Sequence, residues 1–117
     1  MNEEDSIVDP EILLGQLLDD PGLVQHITRT ERDGLQTIVA YFRIEFQPGQ
    51  QRLVLHVPLV PALNVLPTVN AHATDHQDVR VRVTDRQKFG IRAEVILSAP
   101  AVTADKLLVE LIASEEN

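Results

Sequence analysis

The residues best suited to chemistry in this chain lie together between positions 72 and 78: His72, Asp75, His76 and Asp78. Two imidazoles four residues apart bind a divalent metal when a helix brings both onto one face. Here they follow a strand end and precede a turn, where that geometry is not assured. No Glu follows His72 in the order a metalloprotease requires, and the spacing supplies no third ligand. The segment reads as a polar loop with, at most, weak ligand capacity, and no metal or cofactor is assigned to it.

Other catalytic chemistry has little to build on. Ser6, Ser98 and Ser114 occur in no G-x-S-x-G setting. There is no glycine-rich phosphate loop, and His26 and His56 stand alone. The carboxylates of residues 3–20 gather at a terminus rather than in an enclosed acid–base pair. The chain has no cysteine, so thiol catalysis, a disulfide scaffold and cysteine-based metal sites are excluded. The expectation is a non-enzyme without catalytic residues.

A second group is Arg80, Arg82 and Arg92, on the polar faces of two neighbouring strands. Guanidinium groups so arranged hold a phosphate or carboxylate. Glu94 is placed to pair with them across the sheet, and the region lacks the aromatics that nucleic-acid-binding sheets stack on bases. The primary reading is a solvated sheet face, with an anion or carbohydrate ligand as the alternative function.

The elements that must position these groups are legible from periodicity. Asp9-Pro10-Glu11 is a helix start, with Asp as cap and Pro at the first helical position. Ile12, Leu13, Leu14, Leu17 and Leu18 form a helical stripe over about 10–19, ended by Asp19-Asp20-Pro21-Gly22. The period then changes to two. Leu23–Thr30 reads as a strand followed by the Asp33-Gly34 hairpin pair. Ile38, Ala40, Phe42, Ile44 and Phe46 share one face of the next strand, and Leu53, Leu55, Val57 and Leu59 line its partner beyond Pro48-Gly49. Three prolines in 58–67 forbid a helix and favour an extended crossover. A short strand is expected within 65–73. A hairpin follows in which Val79, Val81 and Val83 lead to a turn at Thr84–Lys88, and Phe89, Ile91, Ala93, Val95 and Leu97 return on the same face. Residues 105–113 fit a strand or a helix, and the need for a closing strand favours the former.

The sum is a mainly β fold: an antiparallel β-sandwich of about six to eight strands with a short N-terminal helix. It forms one domain over residues 9–117, preceded by a flexible acidic segment, 1–8. Val, Leu and Ile number 37 of 117 residues, enough for an aliphatic core at this size.

Net charge is −8, which disfavours general attraction to nucleic acid or to an anionic membrane. It is unevenly spread: −7 over residues 1–34, +2 over 35–100 and −3 over 101–117. No apolar run approaches a membrane span, and the acidic start is unlike a signal peptide. The expectation is a soluble, cytoplasmic protein.

Apolar side chains also fall on outward faces of strong strands: Val39, Tyr41, Val54 and Ile96. Either the N-terminal helix covers them or another subunit does. They are the candidate interface, and they make a protein-interaction or assembly domain, self-associating as a homo-oligomer, the leading functional expectation.

The pattern Pro67-Thr-Val69, Val81-Arg-Val83-Thr84 and Phe89-Gly90-Ile91 resembles that of H-type-lectin-like sandwiches and related phage tail-fibre modules. In those families a Pro-x-Val strand precedes a strand ending in Val-Thr and a return strand with Gly and Phe. Here Phe89 precedes Gly90 rather than following it, and no tryptophan is present. The resemblance implies a β-sandwich that forms trimers, some members of which bind sugars. No sugar-binding residue of those families maps onto a position of this chain.

Overall fold

The structure, a computed structural model, describes residues 10–74 and 78–116. The expected flexible segment 1–8, the Asp9 cap, and Asp75 and His76 lie outside the described residues. Among the described residues one helix, α1 (Pro10–Asp19), precedes seven strands: β1 (Gln25–Arg32), β2 (Leu35–Phe46), β3 (Arg52–Pro58), β4 (Thr68–Ala73), β5 (Val79–Gln87), β6 (Gly90–Leu97) and β7 (Asp105–Ser114). They form two antiparallel sheets, in the orders β1-β2-β7-β4 and β3-β6-β5. The fold is a mainly β, two-sheet sandwich.

Strict alternation builds the core. Ile38, Ala40, Phe42 and Phe46 of β2 and Leu107, Val109, Leu111 and Ala113 of β7 point inward from one sheet. Val57 of β3 and Ile91, Ala93, Val95 and Leu97 of β6 meet them from the other. Period-2 patterning leaves the opposite face of each strand for other purposes. Residues 105–114 form a strand and not a helix because they pair along their whole length with β2 and over Val109–Ser114 with β4, with Leu107, Val109, Leu111 and Ala113 on the core face. The order β2-β7-β4 places the last strand in the middle of its sheet.

The β1–β2 hairpin turns on Asp33 and Gly34, both with positive φ (53° and 78°). This is the primed two-residue turn whose twist matches the strands it joins. The hairpin expected between β2 and the strand beyond Pro48-Gly49 does not form: β2 pairs with β1 and β7, while β3 pairs with β6, so Pro48-Gly49 carries the chain from one sheet to the other, a choice set by long-range pairing and not by the turn residues. The β5–β6 hairpin forms but also departs from expectation. β5 does not turn at Thr84 but continues to Gln87 through an irregularity between Val83 and Asp85, so that Gln87 pairs with Gly90. The turn is therefore Lys88-Phe89, and Phe89, expected inward, is 67% exposed. A bulge adds a residue without ending the ladder.

Residues 59–67 cross from β3 to β4 and close one end of the sandwich. Leu59, Leu63 and Pro67 are buried there. Leu59 and Leu63 donate their backbone N–H groups to the carbonyls of Phe89 (2.9 Å) and Lys88 (2.8 Å). Arg86 Nη1 donates to the carbonyl of Pro67 at 2.6 Å.

Candidate functional site

The outer face of the four-stranded sheet carries α1. Leu17 packs on Tyr41 and Leu108, with Leu14, Leu23 and Val39 around them. Arg43 Nη2 donates to the Leu17 carbonyl at 3.0 Å, tying down the C-terminal end of the helix. A ten-residue helix is marginal alone, so this docking is what holds it. Val39 and Tyr41 are thus placed under the chain's own helix.

Beside the helix one register row runs across all four strands: His26, Tyr41, Glu110 and His72. Tyr41 Oη donates to Glu110 Oε2 at 2.7 Å. His72 Nε2 lies 3.6 Å from Glu110 Oε1. Burial, with help from the hydrogen bond to Glu110 and the charge of that carboxylate, pushes the Tyr41 hydroxyl up to about 12. His26 Nδ1 is buried without a partner.

Of the loop group His72, Asp75, His76 and Asp78, the structure places His72 on β4, facing Glu110, and Asp78 at the start of β5. Among the described residues no three His, Cys, Asp or Glu side chains converge as a metal site.

The outer face of the three-stranded sheet carries Val54 and Ile96, so these lie on the opposite broad face of the sandwich from Val39 and Tyr41. The four positions do not form one surface. Val54 and Ile96 stand among cations. Arg52 and Arg80 flank Ile96 on either side, while Val54 and Arg82 flank Glu94. Arg82 Nη2 donates to Glu94 Oε1 at 2.8 Å, and Arg52 Nε lies 3.4 Å from Glu94 Oε2. The hydrogen bond from Arg82, reinforced by the charges of Arg52, Arg82 and Arg92, holds the Glu94 carboxyl below its usual range against its burial. Glu94 is only 7% exposed, sunk beneath the guanidiniums that neutralise it. Arg92 reaches Thr84 Oγ1 at 3.4 Å, and Arg80 makes no ion pair among the described residues.

Two features were not singled out by sequence reasoning. Glu115, two residues from the end of the chain, is buried and accepts the backbone N–H groups of Gln36 (2.7 Å) and Asn64 (2.6 Å). Nothing in an acidic tail signals this. The other feature is β1. It pairs only with β2 at the edge of its sheet, and six of its eight residues are exposed. Its inward-pointing Ile27 is 45% exposed, because the four-stranded sheet extends past its three-stranded partner on this side. The amphipathic signal of β1 is weak for the same reason.

Along this side Arg29 Nε donates to Gln36 Oε1, and Arg29 Nη1 donates to the Pro61 carbonyl at 2.5 Å. Those contacts bring Val60, 85% exposed, beside β1. Leu35, Val65, Leu66 and Phe89 are also exposed at the end that residues 59–67 close.

No helix among the described residues is long and apolar enough to cross a membrane. Comparison of the chain with protein-family models, curated proteins and solved structures finds no match.

Proposed function

We propose that this chain is a non-catalytic interaction domain that self-associates through the free edge of β1. The observation that carries this reading is the eight-residue β1 edge with half-exposed Ile27 and exposed Val60 alongside. A two-residue hairpin makes Arg32 and Leu35 a hydrogen-bonded pair, so alternate residues of β1 bond to β2. Gln25, Ile27, Arg29 and Glu31 then direct their backbone groups outward.

The other edges are better guarded. β3 ends in Pro58, β5 carries a bulge, and β4 is short and runs close to β5. On β1 the guard is the inward-pointing Arg29, whose guanidinium is already engaged by Gln36 and Pro61. A two-fold antiparallel pair centred on Ile27 joins two half-exposed isoleucines and sets Gln25 opposite Arg29. Centring on Arg29 sets like charges opposite each other and is disfavoured.

The test is mass by light scattering over a wide concentration range, for wild type and for Ile27→Pro. Proline at an outward N–H removes intermolecular donors and leaves the β1–β2 ladder intact. A concentration-dependent dimer that the substitution abolishes, with Tm and far-UV spectrum retained, supports the reading. Ile27→Lys provides the same comparison without a backbone change. A wild-type monomer at every concentration overturns it.

A further inference from the structure

The three-stranded sheet presents an electrostatic surface opposite in sign to the rest of the chain. Arg52, Arg80, Arg82 and Arg92 stand on it against Glu94 and Asp85, a balance of +2 in a chain of −8. The balance of all other residues is therefore −10. Because Glu94 is sunk beneath Arg82 and Arg52, what faces outward is guanidinium, with Val54 (38% exposed) and Ile96 between. Such a face fits an acidic peptide that also carries aliphatic side chains. It does not fit nucleic acid, which the remainder of the chain repels.

One segment of this protein has that composition: Glu3-Glu4-Asp5-Ser6-Ile7-Val8-Asp9, which lies outside the described residues. Four carboxylates match four arginines, and Ile7-Val8 match Val54 and Ile96.

We propose that the outer face of β3-β6-β5 binds the acidic segment Glu3–Asp9 of a second copy of this chain. The alternative donor, the same copy, is disfavoured by reach. The helix that follows the segment sits on the outer face of the other sheet. Passing from there round the sandwich edge requires about 40 Å: about 20 Å for the helix layer and the spacing between the sheets, and about 10 Å for the half-width of each sheet. The seven residues 3–9 extend to about 25 Å at most. The proposal shares with the β1 reading only that the partner is a second copy, and it stands or falls separately.

The absence of cysteine makes disulfide trapping a clean test. Ser6→Cys and Val54→Cys chains, mixed under mild oxidation, are expected to give a linked heterodimer about tenfold faster than Ser6→Cys mixed with Thr103→Cys, an exposed position in the loop between β6 and β7 and off the arginine face. Screening by about 0.5 M salt slows the specific reaction towards the control rate, and so does adding Arg80→Glu to the Val54→Cys chain. Equal rates for Val54→Cys and Thr103→Cys overturn the proposal. A Ser6→Cys/Val54→Cys double variant that closes only within one chain also overturns it, in favour of the same copy. Repeating the mixture in an Ile27→Pro background separates this contact from β1 pairing. Trapping that persists there shows an independent surface, and trapping that is lost there overturns it.

Discussion

Glu115 Oε2 accepts the backbone N–H of Asn64 at 2.6 Å, joining positions 51 residues apart. Its other oxygen accepts the N–H of Gln36, so one carboxylate fastens the 59–67 crossover to the start of β2 at the end of β7. The Asn64 amide, then those of Gln36 and Val65 and the charge of Arg29, hold this carboxyl below its usual value of 4.5.

Glu115→Gln is expected to lower Tm at neutral pH, because the amide NH2 faces a backbone N–H it cannot accept from. Glu116→Gln, at an exposed position, leaves Tm unchanged. The stability that Glu115 contributes is fully present above its unfolded value of 4.5, and it is lost as pH falls through the lower folded value. Thermal melts of the Glu115→Gln variant therefore show a flatter acid limb than wild type. Parallel limbs would remove this role.

Tyr41 is the chain's single tyrosine, and no tryptophan obscures its absorbance. Its ionisation in the folded protein is expected near pH 12, against about 10 when unfolded. A raised acid loses its contribution as pH rises, so stability declines from about pH 10 through 12. Tyr41→Phe removes that alkaline decline and costs about 1 kcal/mol at neutral pH through the lost bond to Glu110. Ultraviolet titration with a midpoint near 10 would contradict the buried hydrogen bond.

Leu17 of α1 packs on Tyr41 and Leu108. Leu17→Ala should destabilise by about 2 kcal/mol, the low end for a buried leucine since α1 can shift to fill the space. It should also move the Tyr41 midpoint down from 12 as water reaches the hydroxyl. A lower Tm with the tyrosine titration unmoved would separate the helix from the Tyr41 environment.

Gly34 has φ of 78° and open space where a Cβ would stand. Gly34→Ala is therefore expected to cost about 1 kcal/mol through backbone strain alone. Denaturant melts check this, and because β1 owes its register to the turn, the variant should weaken any β1-mediated dimer as well.

How much was legible followed from which interactions are local. Alternation from Thr37 to Phe46, Pro10 at the helix start and Asp33-Gly34 between strands are one-dimensional signals. They sufficed for a mainly β sandwich with an N-terminal helix, since period and turn chemistry act within a few residues of one another. The Thr84–Lys88 turn was misplaced because a bulge is set by the partner strand, here β6, and not by the residues that bulge. That Val39 and Tyr41 lie under α1, while Val54 and Ile96 lie on the far face, depended on which sheet each strand joined. The insertion of β7 between β2 and β4 is such a choice, and it alone created the Tyr41–Glu110–His72 row. Glu115 and the β1 edge belong with these: a carboxylate's partners and a strand's missing neighbour are properties of the assembled sheets, decided by contacts between residues far apart in the chain.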